Sequence, residues 1–249
     1  MDRLSGKRAV ITGGTSGIGL AAARRFHAEG AHLTLFARGA DALRCTGAEL
    51  GSGVAVVQGD VTDASDLERL FAAVDAEGGG IDALVVNAAV VKLAPIVDTT
   101  DELLGEILAT NVAGAFATLR GAVPRLNDGA SVVLVSSYLN RIGFPGSSAV
   151  AMSKAGITAL VRVAAAELAP RRIRVNALCP GAVETPLWAK LGLPDDVLVS
   201  AGNAITAQIP LGRWGRPDEL ADALVYLASD ESSYVNGIEL AVDGGLHQL

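Results

Sequence analysis

The chain has 249 residues, 50% of them hydrophobic but only 4% aromatic, and a formal net charge of −7. The length suits one large domain or two small ones able to fold unaided, while the scarcity of aromatics leaves Ala, Val, Leu and Ile to build the core of a buried parallel sheet. The acidic balance argues against a nucleic-acid surface, the two cysteines, Cys45 and Cys179, rule out a disulfide framework or a metal-ligand cluster, and no apolar run approaches the roughly 18–20 residues of a membrane span.

Met1-Asp2-Arg3-Leu4 leads straight into a strand with no signal-peptide core, so a reduced cytoplasmic protein is expected. From there strand and helix alternate. Residues 8–12 form a short apolar strand, and residues 17–28 show helical spacing with Ile18, Ala22 and Phe26 on one face. Gly30 ends that helix. Residues 32–37 make a second strand, followed by an amphipathic stretch around Leu43 and Leu50; residues 54–57 make a third, followed by a helix over 65–74. The fourth strand is placed at 83–87, and a long helical region at 101–125 is broken near Gly114. A fifth strand at 131–136 leads to a helix over 148–168, stopped by Pro170, and a sixth strand spans 174–178. After Pro180-Gly181 the pattern loosens until a helix at 217–228 and a last strand at 239–242.

Successive βα units with apolar, non-alternating strands imply a Rossmann-type, doubly wound α/β fold of about seven strands, flanked by helices on both faces. Such a fold binds ligands at the carboxyl ends of its strands. No linker, repeat or low-complexity tract divides the chain, so residues 1–249 read as a single domain.

At the carboxyl end of the first strand stands Thr12-Gly13-Gly14-Thr15-Ser16-Gly17-Ile18-Gly19. Glycines there let the backbone approach a pyrophosphate resting on the N-terminus of the next helix; an ordinary glycine-rich turn is the alternative. This T-G-x-x-x-G-I-G opening resembles the classical short-chain dehydrogenase/reductase family, and further motifs follow in the family's order. Asp60-Val61 resembles its adenine-contacting pair, Val86-Asn87-Ala88-Ala89 its N-N-A-G, and Pro180-Gly181-Ala182-Val183-Glu184-Thr185 the segment gripping the nicotinamide carboxamide. Gly212-Arg213-Trp214-Gly215-Arg216-Pro217, and Asn236-Gly237 through Asp243-Gly244-Gly245, resemble its C-terminal signatures. Asn111, Ser137 and Lys154 fit its catalytic asparagine, serine and lysine.

In dinucleotide folds an acid at the end of the second strand binds the adenosine ribose 2′-hydroxyl and repels a 2′-phosphate. Here that strand ends Phe36-Ala37-Arg38-Gly39. Arg38 offers a guanidinium suited to phosphate, with Thr15 and Ser16 as further donors, so NADPH is expected over NADH. A solvated surface arginine is the competing reading of Arg38.

The resemblance implies a tyrosine four residues before the lysine, transferring the proton to or from the substrate while hydride moves at the nicotinamide. That position is Val150, and the only tyrosines are Tyr138, Tyr226 and Tyr234. Losing a positioned general acid typically removes about 10²–10⁴ in rate. Four readings follow: a reductase of an imine or conjugated alkene; a reductase with a substitute proton donor, Tyr138 foremost; a non-redox NADP(H)- or ligand-binding protein with a structural, regulatory or cyclase-like role; or an inactivated carbonyl reductase. Strand alternation predicts that Tyr138 points away from Ser137. Residues 187–210 lie where the family places its substrate-covering loop and helices. Trp188, Leu191, Leu193, Val197, Leu198 and Ile205 there, joined by Leu139 and Phe144, suggest an apolar, bulky small-molecule substrate. The resemblance also implies a homotetramer or homodimer with the last strand at an interface.

Overall fold

The computed structural model describes residues 2–189, 191 and 195–249. Seven strands form one parallel sheet in the order β3-β2-β1-β4-β5-β6-β7: β1 (Arg8–Thr12), β2 (His32–Ala37), β3 (Val54–Gln58), β4 (Ile81–Val86), β5 (Leu126–Val135), β6 (Arg174–Pro180) and β7 (Glu239–Val242). The order reverses between β1 and β4, which pair through Ala9↔Ala83 to Thr12↔Val86. The chain therefore leaves in opposite directions from the ends of these two neighbours, and a crevice opens there.

The helices are α1 (Gly17–Ala28), α2 (Ala40–Leu50), α3 (Ala64–Glu77), α4 (Asp101–Leu108), α5 (Ala115–Ala122), α6 (Ser148–Leu168), α7 (Pro186–Ala189), α8 (Asp195–Thr206) and α9 (Pro217–Ala228). Helices α3, α5 and α6 cover one face of the sheet, where Val10, Leu84, Val86, Val132 and Leu134 pack against Leu70, Phe71, Leu119 and Val161. The intervening strand residues Ala9, Ile11, Val85 and Val133 point to the other face, against Phe26 of α1 and Leu220 and Leu224 of α9. Both faces being dry is why these strands read as unbroken apolar runs.

Several boundaries differ from expectation. β5 starts at Leu126, five residues before the apolar run, because Leu126 pairs with Ile81 across a register irregularity. The exposed Asp128 and Gly129 hide that start from an apolar filter. β6 continues through Cys179 and Pro180, which pair with Ala241 and Val242 of β7. The expected break near Gly114 is a turn of π-helix, Ala109–Gly114, joining α4 to α5. Residues 148–171 prove long and apolar enough, by length and composition alone, to cross a membrane. This corrects the expectation that no such run exists. Helix α6 buries Ile157, Val161, Ala164 and Leu168 against the sheet, so here the run is a core helix carrying Arg162 and Glu167 on its outer side.

Candidate active site

The carboxyl ends of the strands surround a cavity of about 730 Å³. Its floor is the turn between β1 and α1. Gly13 has φ +69°, and a Cβ there would lie 2.8 Å from Asn87 Nδ2. A Cβ on Gly19 would lie 2.1 Å from the Gly13 carbonyl oxygen, so the first turn of α1 closes directly on the loop. Asn87 locks that loop by donating from Nδ2 to the carbonyls of Thr12 (3.1 Å) and Gly13 (3.2 Å), while its own N–H donates to Thr12 Oγ1 (3.0 Å). Ser16 caps α1 without a side-chain bond to the helix, and no acid stands in the first turn. The N–H groups of that turn are thus left for an anion, next to backbone stripped of Cβ atoms, and the residues present fit a dinucleotide.

Gly13, Thr15, Ser16, Gly17, Ile18, Arg38, Asp60, Val61, Asn87, Pro180, Gly181, Val183 and Thr185 all line this cavity, as do Ser137, Tyr138, Val150 and Lys154. Gly19 supports it from behind Gly13. Arg38 is 68% exposed, with its Nη1 3.7 Å from Asp60 Oδ2, a pair too solvated to hold the guanidinium. Asp60 also accepts from Thr62 N–H and Oγ1, both at 2.9 Å. Val61 packs so tightly on Gly114 that a Cβ there would come within 2.7 Å of it, which accounts for glycine inside a helical run. The segment beyond β6 is stitched down by Gly181 N–H donating to the Val242 carbonyl and Glu184 N–H donating to the Gly215 carbonyl, both at 3.0 Å.

The catalytic candidates come from β5, the turn after it and α6. Ser136 and Ser137 both line the cavity. Ser136 is buried and its Oγ donates to the Lys154 carbonyl at 3.1 Å, whereas Ser137 Oγ caps a 3₁₀ turn over Tyr138–Asn140 by accepting from Leu139 N–H at 3.2 Å, with no acceptor for its own proton among the described residues. Because β5 ends at Val135, alternation does not govern Tyr138. It lines the same cavity as Ser137, contrary to the strand-based expectation, and burial raises its phenol pKa. Val150 is 1% exposed and packs with Ile107, Leu139 and Ala149, one helical turn before Lys154. Lys154 is 5% exposed, and its Nζ donates to the Val135 carbonyl at 2.8 Å. Burial pushes its ammonium down from 10.5 to about 8.

Asn111 behaves differently. It sits buried in the π turn, its Nδ2 donating to the Val90 carbonyl (2.9 Å) and Ser153 Oγ (3.1 Å) while Oδ1 accepts from Val90 N–H (2.8 Å). Its side chain fastens the loop after β4 to α6 and is not part of the cavity wall.

Leu187, Trp188, Leu191 and Ile205 cover the cavity together with Leu139 and Phe144. Val197 is exposed, Leu198 is absent from the wall, and Leu193 lies outside the described residues. Sequence reasoning missed Trp214 as a wall residue, though a tryptophan amid glycines and arginines was a visible signal. It meets Trp188 edge-to-face at 4.8 Å and donates from Nε1 to Thr206 Oγ1 at 2.9 Å. The rim pair Lys92–Glu106, at 2.6 Å, was also missed; their separation in sequence carries no sign of the contact.

A dinucleotide cradle at the switch point of a parallel sheet, beside a buried lysine and a serine, defines a nicotinamide-dependent oxidoreductase class of site. The comparisons agree. A family described as enoyl-(acyl carrier protein) reductase matches residues 13–247. Oxidoreductase asL5 of Sarocladium schorii is 39% identical over 251 residues, covering 100% of this chain and 99% of that protein. The 3-oxoacyl-[acyl-carrier-protein] reductase FabG of Thermotoga maritima is 38% identical, covering 98% and 99%. A short-chain type dehydrogenase/reductase from Mycobacterium marinum superposes with a TM-score of 0.90 at 34% identity, covering 99% of this chain and 97% of its own. This chain belongs to the short-chain dehydrogenase/reductase family and is an NAD(P)(H)-dependent oxidoreductase.

Proposed function

We propose that the chain is an NADPH-dependent reductase of an apolar, bulky small molecule whose reducible bond is an imine or a conjugated alkene. The observation that carries this reading is Val150: it is buried against the cavity one turn before Lys154, where the family resemblance places the proton-donating tyrosine. A valine offers no proton. A protonated imine needs none at that point, and a conjugated acceptor can have its developing charge met by a hydrogen bond from Ser137.

In this reading the single domain 1–249 works as follows. Gly13, Thr15, Ser16, Gly17, Ile18 and Gly19 seat the pyrophosphate, Arg38 takes the 2′-phosphate, and Asp60 and Val61 flank the adenine. Asn87 keeps the cradle in shape for the cofactor and Lys154 holds the nicotinamide ribose, while Pro180, Gly181, Val183 and Thr185 fix the carboxamide. The bound nicotinamide supplies the hydride. Ser137 orients the substrate, and Asn111 keeps the π turn and α6 in register for Lys154. Residues 187–210 cover an apolar substrate, supported by the Trp188–Trp214 pair. Assembly as a homotetramer or homodimer is supported by the exposed Phe116, Met152 and Val163 on α5 and α6.

A second reading makes Tyr138 the substitute donor, since its ring and Ser137 line one cavity. The test is Val150→Tyr, assayed with NADPH against ketones, imines and enones. Wild-type turnover of imines or enones, with ketone reduction gained only by the variant, is expected. Equal ketone reduction by both proteins refutes the imine or alkene assignment and passes the proton to Tyr138, checked by Tyr138→Phe. Arg38→Ala should erase the preference for NADPH over NADH; an intact preference would overturn the role given to Arg38.

A further inference from the structure

Beyond the part given to it in the reductase reading, Lys154 is a buried primary amine on the cavity wall with no counter-ion among the described residues. The Val135 carbonyl accepts from Lys154 Nζ, and among the described residues no carboxylate pairs with it. The acids on the cavity wall are engaged elsewhere, Asp60 beside Arg38 and Glu106 with Lys92. Neither Cys179, which acts on this amine, nor Tyr138 on the cavity wall carries negative charge near neutrality. Cys179 of β6, behind it, is pushed up to about 11 by burial and by the charge of Glu239, and burial also raises the phenol of Tyr138. Desolvation thus outweighs the Val135 carbonyl and Cys179, which favour the proton on Lys154, and an appreciable share of the side chain is neutral amine around pH 8. Val150 leaves the surface beside it apolar, and two hydroxyls, Ser137 and Tyr138, line the same cavity.

We propose that, in the nucleotide-free chain, Lys154 is an imine-forming amine for small apolar aldehydes and ketones entering this cavity. The neutral Nζ attacks the carbonyl carbon; a C–N bond forms as the C=O π pair moves to oxygen, and the nitrogen's extra proton passes to that oxygen. The carbinolamine then takes a second proton, relayed through the Ser137 or Tyr138 hydroxyl, and loses water. The product is a protonated C=N bond to Lys154, with no net oxidation or reduction. This activity goes beyond the reductase reading and does not depend on it.

The test treats the nucleotide-free full-length protein with benzaldehyde, traps imines with sodium borohydride and locates the resulting benzylamine by peptide mass mapping. At pH 8 the adduct is expected at Lys154 in excess over Lys7 and Lys92, which are salt-bridged to Asp230 and Glu106. Its yield should rise only about twofold between pH 8 and pH 10, whereas a lysine titrating at the ordinary value gains about 70-fold in neutral amine over that interval. Lys154→Arg keeps the charge and should lose the excess. Should that variant fail to fold, the wild-type pH profile decides alone. Labelling spread over the lysines without preference for Lys154, or a Lys154 yield climbing steeply to pH 10, overturns the proposal.

Discussion

Replacing Lys154 by methionine should stabilise the fold at neutral pH while removing a group the site needs. Lys154 is 5% exposed and burial lowers its pKa from 10.5 to about 8. At about 1.4 kcal/mol per pKa unit, keeping the ammonium charged in the folded state costs about 3 kcal/mol at pH 7. Methionine has similar length, carries no charge and suits the apolar surroundings of Val150, but it leaves the Val135 carbonyl without its 2.8 Å donor. That loss costs about 1–2 kcal/mol, so the variant should be more stable by about 1–2 kcal/mol at pH 7. For a chain of this size the gain is about 2–8 °C in Tm.

The pH dependence supplies the stronger check. The folded pKa lies below the unfolded one, so between about 8 and 10.5 the unfolded chain binds more protons. Wild-type stability therefore rises with pH across that window, the full penalty being present below pH 8. By pH 10 only about 1 kcal/mol of the penalty remains, and the advantage of the variant should vanish or reverse. Thermal unfolding of both proteins, nucleotide-free, at pH 7, 8.5 and 10 and matched ionic strength measures the difference. A variant less stable at pH 7, or a difference that does not change with pH, would refute the claim that an uncompensated ammonium is buried there.

Two other substitutions probe the scaffold. Gly19→Ala places a Cβ 2.1 Å from the Gly13 carbonyl oxygen and 2.6 Å from Asn87 Nδ2, so the cradle must shift. A loss of about 1–3 kcal/mol and NADPH binding weakened by about tenfold or more are expected in fluorescence titration; unchanged binding would show that the cradle is not the nucleotide site. Arg174 is buried, donating from Nη1 to the Leu227 carbonyl (2.9 Å) and Ser232 Oγ (2.7 Å), and from Nη2 to the Ser229 carbonyl (3.0 Å), at the C-terminal end of α9. Arg174→Met should cost about 2–4 kcal/mol in urea unfolding by orphaning these acceptors, with NADPH affinity retained.

The helix over 148–168 was legible to the residue, because Ser and Gly precede a long periodic run and Pro170 stops it. The start of β5 was not, since only Leu126 pairs there, with Ile81, and the polar Asn127, Asp128 and Gly129 fill the register shift before pairing resumes at Ser131. Tyr138 shows the same limit. Its orientation depended on where β5 stopped, and β5 stops at Val135, where the chain turns into a 3₁₀ segment.

Sequence alone determined the alternation of strand and helix, the glycine cradle after β1, and the placing of Val150 and Lys154 one turn apart on one helix. Each of these rests on local periodicity or on backbone geometry available only to glycine. Only the tertiary structure decided which side chains share the cavity: Tyr138 with Ser137, Trp214 with Trp188, Arg38 beside Asp60, and Asn111 withdrawn to Val90 and Ser153. The partners in most of these pairs are 20 or more residues apart. They meet because right-handed crossovers bring the carboxyl ends of non-consecutive strands to one side of the sheet, an arrangement that no local pattern encodes.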